Sequence, residues 1–477
     1  MLTGKDVLVC YDHDKPGVNG AVKVEKKLGG GIAKSIKWVH WPHDKPDGFD
    51  VRDYYKATGN PKLTLDGLLG MMQDRPPSWG DEPGPVTVET PKVEPLSGKG
   101  LSFDKVADVY KKWLFMFSTE CLDVLFGSII ANRLEGDSLW LFLVAPPGGM
   151  KSELLMSVSK APRIVATTSI TPHALISGAN FGAAGDPSLI PKLDGKVLVI
   201  KDFTTIMSMN ALAKEEIFGV LRDAFDGKTE KRFGNGIVRS YESKFGIIAG
   251  ITHVVETLSG NNPLGERFLK YRIRSAPGSG KEAIKRAIGN IRVNDKMRAE
   301  LLDVGKAALD REFDGIPDIP DGLVDRIVSL AQWVAMLRNI VSRDKYSGLI
   351  HFKPEHEIGT RLAKQLCKLA FGIALFRGQT KVDEKVFEIV RRVGLDTCPS
   401  KVEAVVSSLV DLGVEWASTN EVADKTGFPI ETTRYILQDL TLTGVCIKEQ
   451  GKGRGWALSD MVKRLIDELG IYRKGGR

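Results

Sequence analysis

One stretch limits the possible folds more than any other. Residues 138–144 form an apolar run that opens onto Ala145-Pro146-Pro147-Gly148-Gly149-Met150-Lys151-Ser152, and residues 153–159 then read as a helix. A buried strand that turns through glycines into a helix gathers outward-facing main-chain N–H groups at one spot, with the helix field behind them. Pro147, Gly148, Gly149, Met150, Lys151 and Ser152 are therefore read as a polyphosphate cradle. In such a cradle Lys151 reaches the β- and γ-phosphates of ATP, and the Ser152 hydroxyl is a ligand of Mg²⁺. The loop departs from the usual pattern at two places. Met150 stands where a glycine normally precedes the lysine, and Ala145 stands at the usual first glycine. Met150 must adopt a backbone geometry that glycine takes freely.

A second strand completes the expectation. Lys196-Val-Leu-Val-Ile200-Lys201-Asp202 carries four consecutive apolar residues and ends in an acid. An acid at that place sits beside the phosphate strand and holds the magnesium shell, so Asp202 joins Ser152 as a metal-binding residue. Many related enzymes follow this acid with a glutamate that polarises water. Phe203 follows here, which leaves the base unassigned, with Glu215 or Glu216 on the next helix as candidates.

The 477 residues are too many for one ordinary core. Residues 1–73 read as a β-α-β unit, with strands at 5–11 and 34–41 around a helix over 18–28. Residues 74–100 carry six prolines and read as an extended linker. Strands at 138–144, 163–167, 196–200 and 244–251, interleaved with helices, predict a mainly parallel sheet covered on both faces over 101–280. Residues 281–397 turn helical, with long apolar periodicity at 323–341 and 357–376 and a shorter helix at 383–393. From 398 to 477, three helices precede a strand–turn–strand, the order of a winged helix-turn-helix.

Here the chain resembles a known group. Residues 195–205 (GKVLVIKDFTT), 221–227 (LRDAFDG), 245–252 (FGIIAGIT) and 264–273 (LGERFLKYRI) look like the ATPase module of phage and mobile-element primase–helicases, which is similar to AAA+ helicases of the minichromosome-maintenance type. The resemblance covers roughly residues 101–396. It implies that Thr252 senses the γ-phosphate, that Arg267 is an arginine finger reaching a neighbouring subunit, and that Arg361 is a second sensor arginine in the lid. It also implies a homo-oligomeric ring, as a hexamer. Residues 228–239 read as a β-hairpin turning at Gly234-Asn235-Gly236, either projecting Lys228, Lys231, Arg232 and Arg239 toward a nucleic-acid backbone or standing as a solvated turn.

At the front, Tyr11-Asp12-His13-Asp14 after a buried strand resembles the Asp-x-Asp motif of Toprim domains, which implies that Asp12 and Asp14 hold Mg²⁺. Asp50-Val-Arg-Asp53 resembles the segment that closes many such domains. Toprim units of primases have an earlier strand with a catalytic glutamate, so the likeness is to a partial unit, inactive or completed by another chain. At the tail, residues 431–442 are read as the recognition helix. Thr432, Thr433, Arg434 and Gln438 are its polar candidates, and Lys452 and Arg454 form the wing tip. Winged helices also bind proteins, and that alternative stays open. Residues 448–477 carry eight Lys or Arg against four Asp or Glu, which suits phosphate contact or a soluble end.

The formal charge of +7 permits a polyanionic partner without demanding one. The five cysteines (10, 121, 367, 398 and 446) have no metal-ligand spacing and suit a reducing compartment. No apolar run approaches the ~20 residues of a membrane span, and residues 1–14 do not read as a secretory signal, so the expected location is the cytoplasm. The function expected is an ATP-dependent helicase on single-stranded DNA. The alternative is an ATP-binding initiator or regulator on double- or single-stranded DNA that does not unwind it. Primase activity is not expected.

Overall fold

The computed structural model describes residues 5–12, 21, 23–24, 35–41, 49–73, 101–179, 185–258, 264, 267–274, 278, 280–313, 315–339, 341, 343–344, 350, 357–449 and 455–472. The chain divides into two compact units, Met1–Glu89 and Thr90–Arg477.

In the first unit, β1 (Asp6–Val9) and β2 (Ser35–Val39) pair in parallel. Two helices follow, α1 (Val51–Thr58) and α2 (Pro61–Gly70), and β3 (Met72–Gln73) adds antiparallel to β2. Asp50 caps α1: its side chain accepts the Arg52 and Asp53 N–H groups, and Asp53 answers to the Asp50 N–H. This capping box is a structural use for two acids that the sequence reading assigned to domain closure.

The second unit opens with α3 (Phe103–Trp113) and α4 (Glu120–Ala131). Then come β4 (Trp140–Val144), α5 (Lys151–Ser157), β5 (Ile164–Thr167), β6 (Val197–Ile200) and α6 (Ala211–Phe225). The hairpin β7 (Lys228–Arg232) and β8 (Val238–Glu242) leads to β9 (Gly246–Ile251) and β10 (Phe268–Arg272). The five-stranded sheet runs in the order β10-β4-β9-β6-β5 with every pairing parallel. The molecule is thus α/β with an all-parallel central sheet, and β4, β6 and β9 are buried at every residue, as the continuous apolar runs require.

Helices fill the remainder: α7 (Gly280–Asn290), α8 (Asn294–Leu309), α9 (Asp321–Arg338), α10 (Thr360–Phe376) and α11 (Glu384–Thr397). The C-terminal part has α12 (Ser400–Leu412), α13 (Thr419–Thr426) and α14 (Ile430–Leu442). The antiparallel pair β11 (Cys446–Lys448) and β12 (Trp456–Leu458) and a last helix, α15 (Asp460–Leu469), close it. No described helix is long and apolar enough to cross a membrane.

One apolar core runs from Val106 through α9 and α10 to Ile471, so the helical segment and the C-terminal segment share an interior with one face of the sheet. Its tightest point joins α4 to α10. A Cβ on Gly372 would lie 2.0 Å from the Gly127 carbonyl oxygen, a distance only glycine permits. Beside it, Arg377 grips the fully buried Asp123 with Nε at 2.7 Å and Nη2 at 2.9 Å. All five cysteines are free thiols, and burial pushes those of Cys121, Cys398 and Cys446 up to about 12.

Candidate functional site

In a parallel sheet all carboxyl ends lie along one edge, and at that edge the chain gathers its candidate groups. β4 ends at Val144 and leads into the glycine turn, β6 ends at Ile200 ahead of Asp202, and β9 ends at Ile251 ahead of Thr252. β9 lies between the other two, pairing Val144 with Ile251 and Ile200 with Ala249. The acid strand is therefore one strand removed from the loop strand, not beside it as the sequence reading had it. At ~4.8 Å per strand, the β4 and β6 ends are roughly 10 Å apart with Thr252 between them.

The turn is shaped by two left-handed residues. Gly148 takes φ +77° freely, whereas Met150 sits at φ 47°, ψ −3°, the conformation expected of it. For an L-residue this costs roughly 1–2 kcal/mol. Met150→Gly is expected to raise stability by up to about 1 kcal/mol, the rest being lost with the packing of its half-buried side chain. A thermal melt checks it, and a lowered melting temperature with unchanged secondary structure contradicts the strain. Within the turn the Gly149 N–H donates to the Pro146 carbonyl at 3.1 Å and the Lys151 N–H to the Gly149 carbonyl at 2.6 Å. The N–H groups of Met150, Ser152 and Glu153 remain for a ligand, having no main-chain acceptor among the described residues.

Lys151 is 7 % exposed, and its ammonium makes one long hydrogen bond, 3.4 Å to the Ala145 carbonyl, with no carboxylate partner among the described residues. A buried cation held so weakly is suited to an anion. Its stem reaches the end of β9 because that strand has Gly250 there. A Cβ on Gly250 would stand 2.7 Å from the Lys201 carbonyl oxygen, 2.9 Å from Leu155 Cδ1 and 3.5 Å from Lys151 Cδ. Asp202 Oδ1 accepts the Thr204 N–H at 3.0 Å, and Oδ2 has no partner among the described residues. The Thr204 hydroxyl in turn accepts the Thr252 N–H at 3.4 Å, tying the acid's turn to the end of β9. Gly250 and Thr204 were missed from sequence. The glycine inside an apolar strand was the available signal for the first, and there was none for the second.

Ser152, Glu153, Lys201 and Arg298 border a crevice of about 190 Å³ between α5 and α8. The Arg298 guanidinium closes it on Glu153 at 2.7 Å. That volume is below the roughly 300 Å³ at which pockets enclose a small ligand, and the glycine turn beside it is open to solvent at Pro146, Pro147 and Gly148. Phe203 is fully buried, and Glu216, one candidate base, is bound to Lys231 of the hairpin; Glu215 is exposed.

Two arginines do not come to this place. Arg267 precedes β10, and Arg361 heads α10; both guanidinium groups lie over the Phe225 ring, at 5.5 and 5.6 Å. Phe225 packs edge-on against Trp140, the first residue of β4, at 5.0 Å. Both arginines therefore stand at the amino edge of the sheet, a five-residue strand or roughly 15 Å from the turn. Arg361 is thus not a sensor for the pocket of its own chain, because helix α10 starts on the far edge. Arg267 is 8 % exposed and donates to the Leu264 carbonyl at 2.7 Å and to Asp226 at 3.4 Å. Burial first, and the repulsion of Arg361 second, hold its pKa below the ordinary value.

The hairpin forms as read, with Lys231 opposite Arg239. Its basic side chains are largely engaged. Lys231 pairs with Glu216 and lies 5.2 Å from the Phe233 ring, and Arg239 donates to the carbonyls of Ser177 and Ala179. Arg232 is exposed and pairs with Glu230 at 3.0 Å. In the C-terminal part Thr433 is fully buried and its hydroxyl donates to the Pro429 carbonyl one turn back, so it does not face a groove-reading surface as expected. Arg434 is exposed beside Glu431. In the first unit Asp12 lies three residues beyond the end of β1 and is exposed. Asp14, Lys452 and Arg454 lie outside the described residues.

Comparison with the known protein families and with curated proteins finds no match.

Proposed function

We propose that the chain is a P-loop ATPase of AAA+-like architecture that works on DNA in an oligomeric ring, with a Toprim-like unit in front and a winged helix behind. The observation that carries this reading is the meeting of Lys151, Asp202 and Thr252 at the carboxyl ends of three adjacent parallel strands, with Gly250 making room for the lysine stem. ATP·Mg²⁺ fits the groups there. Lys151 and the amides of Met150, Ser152 and Glu153 hold phosphate oxygens, while Ser152 and the unengaged Asp202 oxygen hold the metal shell. The bound Mg²⁺ neutralises charge that develops on the phosphates. Arg267 and Arg361 stand on the far edge, so any nucleotide that they serve is a neighbour's, which agrees with a ring.

A second reading keeps ATP binding but removes unwinding: an initiator or regulator that assembles on DNA. The buried Phe203 after Asp202 and the pairing of Glu216 with Lys231 favour it, because neither supplies a free base for water. A strand-displacement assay with Lys151→Ala as control decides between the two. Displacement that needs ATP and is lost in the variant supports the helicase. ATP turnover that single-stranded DNA stimulates, without displacement, rejects it in favour of the regulator. Neither turnover nor nucleotide binding rejects both.

A further inference from the structure

Two apolar surfaces of this chain are open to solvent, and they stand on opposite edges of the sheet. The first is on α7. Every residue of this helix is exposed except Asn290 at its end, although Ile284 and Ile288, 60 % and 61 % exposed, share one face, and Ile291, 70 % exposed, continues the i, i+4, i+7 spacing as the first residue of the short 3₁₀ turn that follows. Arg286, some 200° around the helix from Ile284, ties it to the body by donating to the Lys111 and Lys112 carbonyls, and Asn290 donates to the Trp113 carbonyl at 2.8 Å. The isoleucine face is therefore turned away from its own chain. An 11-residue helix is marginal alone in water and gains its stability by packing such a face.

The second surface is a groove of about 420 Å³ between α9 and α10, lined by Leu134, Ile316, Val324, Val328, Cys367 and Phe371. Val324 and Val328 are open to solvent. Leu134 belongs to the connection into β4, which places the groove on the far edge with Arg361. α7 leads into α8, whose first turns meet the Lys151 edge through Arg298 and Glu153. Charge agrees with shape. Lys281, Lys285 and Arg292 accompany the isoleucine stripe, while the groove's lining carries the exposed acids Glu135 and Asp137, and the exposed Asp325 follows Val324 on α9. Lys364 and Lys368 close one end of the groove, both engaged with Asp137.

We propose that Ile284, Ile288 and Ile291 of one copy seat in the α9–α10 groove of a second copy, head to tail. A helix presenting i, i+4, i+7 anchors to an apolar groove is an established mode of recognition. A contact between two different patches leaves each copy with one of each free, so it propagates into a closed ring or an open filament. It turns the Lys151 edge of one copy toward the Arg267 and Arg361 edge of the next. The inference rests on the oligomer in the proposed function, not on its nucleotide chemistry.

The test uses the full chain without nucleotide. Ile288→Cys and Val328→Cys chains, prepared separately and mixed, are treated with a short bismaleimide, with wild type giving the background of native thiols. The expected product is a dimer whose linked peptides contain one introduced thiol from each chain. In sedimentation velocity, Ile288→Glu and Val328→Glu are each expected to weaken self-association by roughly tenfold or more, since each places a charge in an apolar seat. Circular dichroism controls for folding, and if a variant unfolds, the cross-link decides. Wild type sedimenting as a single chain overturns the proposal. So does assembly unchanged by Ile288→Glu, or cross-links confined to one chain. Loss of ATP binding with assembly and cross-link intact counts against the nucleotide reading alone.

Discussion

Lys151→Ala is expected to lower ATP turnover by about 10²–10³-fold while leaving the thermal midpoint nearly unchanged. The first part follows from removing a preorganised charged donor from a site partly shielded from water, where one such group is worth roughly 3–4 kcal/mol in the transition state. The second follows from how little the lysine does for the fold. Its ammonium makes one 3.4 Å hydrogen bond and no ion pair among the described residues, so its loss costs within about 1 kcal/mol. A structural lysine predicts the reverse, with stability falling and turnover following only in proportion. Measuring both quantities on the same preparation separates the two, and full turnover in the variant removes Lys151 from the chemistry.

The largest stability effect is expected at Arg377. Asp123 is fully buried on α4, and the Arg377 guanidinium that follows α10 meets it with two hydrogen bonds while lying 5.0 Å from the Phe103 ring. Burial raises the Asp123 pKa above its ordinary 3.8, and Arg377 only partly offsets that rise. Ionising Asp123 therefore costs stability as pH climbs through the raised value, and without Arg377 the cost is larger. Arg377→Met is expected to destabilise the second unit by roughly 3–5 kcal/mol at neutral pH, because it strands a buried carboxylate. The deficit shrinks as pH falls and Asp123 takes a proton. Adding Asp123→Asn recovers most of it, which a double-mutant cycle on urea midpoints reads directly. A deficit that stays constant with pH, or no recovery in the double variant, assigns the loss to the missing contact with Phe103 instead.

Much of the architecture was legible because its elements announce themselves locally. Val197–Ile200 and Gly246–Ile251 are unbroken apolar runs of strand length, and only a sheet covered on both faces hides them. Helix α13 is bounded by local signals, since Ser418 and Glu421 form a capping box and Gly427 closes the other end in the left-handed conformation. The glycine turn into α5 was legible for the same reason, as was the left-handed Met150. Relations between distant segments were not. Strand order placed β9 between β4 and β6, and no periodicity encodes that. Arg361 was read from the head of a helix whose sequence does not say which edge of the sheet it starts from. Lys231 is engaged by Glu216, fifteen residues earlier, through a hairpin folded back on α6. Thr433 counted as polar on a helix surface, yet a threonine that returns its hydroxyl to the carbonyl one turn back is readily buried.

Calorimetric titration of ATP·Mg²⁺ into the full chain, beside the Lys151→Ala variant, examines the pocket with the fewest intervening steps. One nucleotide bound per chain, with binding abolished or weakened at least about 100-fold in the variant, is the expected result. No heat from the wild type under conditions where it is folded, or equal affinity in both proteins, contradicts a triphosphate site at Lys151.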